Sequence, residues 1–187
     1  MPLFPINAIL CPHGRISLKV FEAKYLDMVS HCLKNNLGFV TVMLQGDGLQ
    51  ESFYRVGTMT KVVDFGQTTK QGILTLTAEG LFQVKLSDIE QQSDGLWVST
   101  TTPQPEENYL DLPEQFNELQ GVLKALVQHP YVSELKMNIN YQDCRHIGWR
   151  LTELLPLDHS QKQSLYEMHD PVLRLKKIVE QLSELIE

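Results

Sequence analysis

Along the first hundred residues the apolar positions alternate or cluster in short runs. GFVTVML (residues 38–44), RVGTMTKVVDF (55–65), ILTLTAEGLFQVKL (73–86) and LWVSTT (96–101) are rich in β-branched and aromatic residues and predict strands. In the third segment Ile73, Thr75 and Thr77 alternate with Leu74, Leu76 and Ala78, after which Glu79-Gly80 predicts a reversal into a second strand. QGDG (45–48), QTTKQG (67–72) and QQSDG (91–95) supply the other connections, at the spacing of a small barrel or strongly bent sheet. One helix interrupts the strands. From Tyr25, the residues Met28, Val29, Cys32 and Leu33 form a stripe, while Lys24, Asp27, Ser30, His31 and Lys34 point elsewhere, until NNLG (35–38) ends it. That phase buries Cys32 and wets His31, so Ser30-His31-Cys32 is not expected to form a catalytic cluster.

The second half changes period. TTPQPEENYLDLP (101–113) is rich in proline and acid and carries neither alternation nor a helical stripe, which marks a boundary. Four helices are predicted beyond it. The first opens at Pro113 and stops at His129-Pro130; the second aligns Cys144, Ile147, Leu151 and Leu154 before Pro156. The third opens with Ser160 and Gln163 at capping-box spacing, and the fourth with Asp170 as cap and Pro171 at its first position. In the fourth, Leu175, Ile178, Leu182 and Leu185 make a packing seam, with Arg174-Leu175-Lys176-Lys177 expected partly on the solvated side. The reading is α+β: a β-rich subdomain over residues 1–105, and a linker with a helical bundle over 106–187.

Composition narrows the class. With 187 residues and 42% apolar content the chain buries a sizeable core unaided. Cys11, Cys32 and Cys144 are an odd number without repeated spacing, as expected in a reducing cytoplasm. No signal-peptide pattern opens the chain, and its most apolar run, LGFVTVML from Leu37, is far short of the roughly 20 residues of a membrane helix. With 23 acidic against 16 basic residues the net charge is −7, the wrong sign for affinity built on phosphates. Membrane and nucleic acid are therefore not the expected partners.

The strongest chemical candidate is CPHGR (11–15), where a thiol, an imidazole and a guanidinium sit within five positions. Pro12 presets the second position of a β-turn and Gly14 suits its end, so the segment reads as a turn, with Cys11 continuing a strand. In DCRH (143–146) helical spacing turns Cys144 inward, with Asp143 and His146 on a wet side. The histidines His13, His31, His129, His146, His159 and His169 include no pair at four-residue spacing and no zinc-ligand pattern. There is no GxxxxGK[ST], GxGxxG or GxSxG motif either. No catalytic residue, cofactor or metal is expected.

The linear order PLFPINAILCPHGRISLKVFEAKYLDMV (2–29), GTMTKVVDF (57–65), GILTLTAEGLFQV (72–84) and LYEMHDPVLRLKKIVEQL (165–182) resembles the N-terminal domain of Lon proteases, also found as a free-standing LON substrate-binding domain protein. The resemblance implies a PUA-like bent β-barrel followed by a helical bundle. It assigns Pro12, Gly14, Phe21, Glu22, Tyr25, Gly57, Asp64 and Gly80 to the architecture, with Glu22 accepting N–H groups at a helix start. The chain departs from the family at Cys11 and His13, where a bulky apolar and a small residue are usual. The family's ATPase and Ser-Lys protease domains have no counterpart in a chain of this length. The function implied is non-catalytic recognition of exposed apolar or extended segments of proteins, with a protease or chaperone as further partner. Phe4, His13, Arg15, Phe53 and Tyr54 are the candidate contact residues; Phe21 and Tyr25 are expected in the core. An RNA-binding PUA-like module and a cysteine-dependent hydrolase at Cys11 are the alternative readings, and the oligomeric state is left between monomer and weak homodimer.

Overall fold

The computed structural model describes residues 1–45, 52–66 and 73–186. The chain divides into two compact units, Met1–Pro105 and Glu106–Glu187. The first contains β1 (Leu3–Ile6), β2 (Arg15–Val20), α1 (Ala23–Lys34), β3 (Phe39–Met43), β4 (Val56–Phe65), β5 (Leu74–Gln91) and β6 (Trp97–Pro103). The sheet runs β1-β3-β4-β5-β2, with β6 also on β5; β1 and β3 are parallel and the other pairs antiparallel. The barrel expected from the turn spacing is not closed by ladders. Its ends, β1 and β6, meet through a single bridge, Pro2 to Val98, beside a Ser99 N–H donated to the Met1 carbonyl at 2.9 Å. QTTKQG and residues 46–48 of QGDG lie outside the described residues.

Glu79-Gly80 does not reverse the chain. β5 runs unbroken for 18 residues, pairing on one edge with β2 along its first part and β6 along its last, and on the other edge with β4. Gly80 sits at a register shift against β4, where Met59 faces Phe82 and Thr60 faces Gly80. A Cβ there would stand 2.4 Å from the Cys11 carbonyl oxygen. The glycine thus serves close backbone approach, the alternative meaning of a glycine inside a strand pattern.

Leu18 and Val20 of β2, Leu76 and Ala78 of β5, Phe4, Phe39 and Leu96 form one core with Met28, Val29 and Cys32 of α1. A second cluster gathers Leu3, Val40, Val42, Phe53, Val84 and Leu86. The expected stripe of α1 holds for three residues, but Leu33 at its end is 45% exposed.

In the second unit, Pro113 precedes a 3-10 turn, Glu114–Phe116, which leads into α2 (Asn117–Val127). Pro130 does not merely stop that helix: it starts a further single turn, α3 (Pro130–Ser133), consistent with proline's fixed φ at a first helical position. α4 (Cys144–Leu154), α5 (His159–Glu167) and α6 (Pro171–Ile186) follow. α6 is capped as expected, the Asp170 carboxylate accepting Val172 and Leu173 N–H at 2.9 and 3.1 Å. The capping box of α5 is instead Asp158 with Gln161, and Ser160 donates its hydroxyl to Asp158. Leu119, Leu123, Ile147, Leu151, Leu165, Leu175 and Ile178 fill the core. The Leu185 side chain lies outside the described residues. Among the described residues no helix is long and apolar enough to cross a membrane.

Two charged residues expected at the surface are buried. Arg174 is fully enclosed: Nε donates to the Leu165 carbonyl at 2.9 Å, Nη1 to Glu107 at 3.0 Å, and Nη2 to Glu107 and the Met168 carbonyl. Its guanidinium lies 5.7 Å from the Trp149 ring, and Gly148 leaves room for its stem, since a Cβ there would meet Cδ at 2.9 Å. Asp143, expected on a wet face, is the buried cap of α4, accepting Arg145 N–H at 2.9 Å and the Arg145 side chain at 2.7 Å. Burial pushes the Asp143 carboxyl up, but the Arg145 hydrogen bonds outweigh it and hold its pKa below the ordinary 3.8.

Three outcomes test these contacts. Gly80→Ala should lower urea stability by about 1–3 kcal/mol, because the obstacle is backbone and not a flexible side chain. Glu107→Gln, which strands a buried guanidinium, should cost about 3–5 kcal/mol in the same measurement. A carboxylate with a depressed folded pKa stabilises fully above the unfolded value and loses that contribution as pH falls through the folded one. Asp143→Asn should therefore flatten the decline of stability seen below about pH 4, while lowering stability at neutral pH.

Candidate functional site

The turn at residues 11–14 is closed by a Gly14 N–H donated to the Cys11 carbonyl at 3.1 Å. His13 stands at φ 59°, the positive value that a type II turn requires at its third position. Its N–H donates to the Gly80 carbonyl at 2.8 Å, and Gly80 N–H returns to the Gly14 carbonyl at 3.0 Å, so the turn is docked onto β5. Cys11 is wholly buried while His13 is exposed. Cys11 precedes the turn in irregular chain and does not continue a strand. Arg15 pairs with Glu79 at 2.8 Å and Lys61 with the same carboxylate at 3.3 Å. Burial works against that carboxylate, yet Arg15 and Lys61 keep its pKa below the ordinary value.

The junction between β2 and α1 differs from expectation at two residues. Phe21, expected in the core, is 65% exposed, because the alternation of β2 turns Val20 inward and the helix begins immediately afterwards. Glu22 occupies the cap position through its backbone only: its carbonyl accepts Tyr25 and Leu26 N–H at 3.1 and 3.0 Å. Its carboxylate makes no capping hydrogen bond and lies 3.4 Å from Lys24 Nζ. Tyr25 is half-buried, its ring 4.5 Å from that of Phe4.

Of the other candidate contacts, Phe4 and Phe53 are in the core and present no binding surface, Phe4 beside Phe39 and Phe53 edge-on to Trp97 at 5.6 Å. Aromatic rings next to strands were packed inward, as their area favours. Tyr54 is half-buried, with its N–H donated to the Met43 carbonyl at 3.1 Å. Gly57 lets β4 approach β3, since a Cβ there would stand 2.6 Å from the Thr41 carbonyl. Asp64 is exposed and accepts Phe65 N–H at 2.8 Å.

What remains at the surface of this unit is apolar in places: Phe21, Leu33, Leu37, Val63 and Phe65 are all exposed. A cleft of about 340 Å³ lies between α1 and the turn joining β5 to β6, floored by Met28, Leu96 and Val98 and rimmed by Lys24, Asp27, His31 and Asp94. An apolar floor with a charged rim suits binding of a side chain. The thiol beside it is not activated: Cys32 donates to the Gly38 carbonyl at 3.4 Å, and burial raises its pKa. Cys144 is likewise pushed up by burial, to about 11. Among the described residues no group of three or more His, Cys, Asp or Glu is placed to hold a metal ion.

Residues 1–184 match the family described as the ATP-dependent protease La (LON) substrate-binding domain. Over 194 residues the chain is 23% identical to the Lon protease of Endomicrobium trichonymphae, covering 98% of this chain and 24% of that protein. The chain thus spans about a quarter of the length of the curated relative it matches. Among solved structures it is similar to a Lon N-terminal domain protein from Xanthomonas campestris, with TM-score 0.78, 28% identity and 96% of each chain covered. The N-terminal domain of Mycobacterium avium complex Lon protease shares the fold, with TM-score 0.61, 15% identity and 97% of each chain covered.

The backbone-only cap at Glu22 has a measurable consequence. Glu22→Gln should change thermal stability by no more than about 0.5 kcal/mol, the range of exposed ion pairs and surface substitutions. A loss of several degrees in melting temperature would restore a capping role to the carboxylate.

Proposed function

The chain belongs to the LON substrate-binding domain family, and on that premise we propose that it is a non-catalytic recognition module for exposed apolar or extended segments of other proteins. The observation that carries the reading is the match, at 28% identity over 96% of both chains, to a Lon N-terminal domain protein of the same fold. Exposed Phe21, Val63 and Phe65 support it, as they give the β-rich unit apolar contact area of the kind buried in protein interfaces. The burial of Cys11 argues against the hydrolase reading, since a nucleophilic cysteine needs access. On this reading the partners are unfolded segments, received by a protease or chaperone in the cytoplasm.

The test is calorimetric titration of the 187-residue chain with carboxymethylated lactalbumin, which is permanently unfolded, and with the native protein. We expect binding of the unfolded form alone, with a negative heat-capacity change from apolar burial. Equal binding of both forms, or of neither, would overturn the proposal.

A further inference from the structure

Among the described residues the sheet keeps open edges: residues 61–65 of β4 pair with β5 alone, and β2 is open along its whole length. β1 and β6 meet each other through the bridge between Pro2 and Val98. β2 pairs with β5 on one side and with no strand on the other among the described residues. The direction of its free groups follows from the ladder. Gly80 N–H donates to the Gly14 carbonyl, so in antiparallel alternation Ile16, Leu18 and Val20 bond toward β5, while Ser17 and Lys19 turn N–H and C=O away from it. Ser17 and Lys19 are also the exposed side chains, between buried Leu18 and Val20. A row of outward main-chain donors and acceptors is a template for one further strand.

The side chains restrict what that strand is. A second copy pairing β2 with β2 about Ser17 would set Lys19 opposite Arg15, and like charges directly opposite are destabilising. Arg15 is held by Glu79, whereas Lys19 projects on the same solvent face without burial. On the other face the free edge runs past half-buried Ile16, and exposed Phe21 follows the strand. We infer that the open edge of β2 is the docking line for an extended polypeptide segment of another protein, acidic side chains facing Lys19 and apolar ones alternating with them. The added strand gains main-chain hydrogen bonds for affinity and takes its selectivity from alternate side chains. This deepens the recognition reading and rests on it.

The probe is a fluorescein-labelled Gly-Val-Glu-Val-Glu-Val-Gly peptide, compared with its Lys-for-Glu counterpart and with a form N-methylated at alternate amides. Ser17→Pro deletes one outward N–H and leaves the bonds to β5, a position at which edge strands accept proline. We expect about tenfold weaker peptide binding from that variant and from N-methylation, the order of one or two lost hydrogen bonds. Lys19→Glu, a surface change that tests the charge preference without touching the ladder, should favour the Lys peptide over the Glu peptide. Should Ser17→Pro fail to fold, Lys19→Glu and the N-methylated peptide decide. Unchanged binding of the N-methylated peptide, or unchanged preference in Lys19→Glu, overturns the edge. Carboxymethylated lactalbumin separates the two ideas: if the parent chain and both variants bind it alike, the edge falls and the recognition reading stands. If the parent binds the peptide but not lactalbumin, the reading falls and the edge stands; binding of neither overturns both.

Discussion

The β-rich unit depends on one unbroken strand, and that strand depends on the absence of a side chain at residue 80. β5 is the partner of β2, β4 and β6, so a break at its middle would separate the sheet's two ends. Gly80 lies where the turn from Cys11 to Gly14 presses its backbone against the strand, leaving 2.4 Å between an added Cβ and the Cys11 oxygen. Two hydrogen bonds fasten the turn there, His13 to Gly80 and Gly80 to Gly14. They set where β2 starts and which of its residues bond inward. The direction of every outward group on β2 is thus fixed by a contact one residue before the strand begins.

In the helical unit the corresponding constraint is electrostatic. A net buried ion pair contributes little to stability, because desolvation offsets attraction, but removing either partner leaves a charge without compensation. Glu107 therefore has few alternatives to its place at Arg174, and Arg145 adds a second tie by donating to the Glu107 carbonyl at 2.6 Å. The segment that composition marks as a linker is bound at residue 107 into the helical unit. One of its acids, Glu107, is the partner of a buried arginine and not a solvating group.

What was legible in the sequence was local. Alternation located β3, β4 and β6, the stripe at Met28, Val29 and Cys32 located α1, and Asp170-Pro171 located the start of α6, since each depends on neighbours within a few positions. What was not legible required a partner distant in sequence. Glu79-Gly80 carries turn chemistry, and only the approach of Cys11 distinguishes a close-packed glycine from a turning one. Arg174 has the same spacing as a solvated residue, and only Glu107, 67 positions away, makes its burial tolerable. Phe21 stands four residues before Tyr25, at the spacing of a helical stripe; the helix begins only at Ala23, and the alternation that turns Val20 inward leaves Phe21 outside. Asp158 and Ser160 are both good caps two residues apart, and the box closed on the one whose third following residue is Gln161.

Binding surfaces belong to this second category for a general reason. Alternation along RISLKV separates an inward face, Leu18 and Val20, from an outward one, Ser17 and Lys19, and this much any reader of the pattern obtains. Whether the strand is central or at an edge is a different property, set by pairings with β5 on one side and with nothing described on the other. A lysine on a central strand would only solvate a face. On an edge strand the same lysine also stands beside free main-chain groups, where it repels a second copy and attracts an acidic segment. The selectivity of such a surface arises from topology and side chain together, and so it becomes readable only once the order of the strands is known.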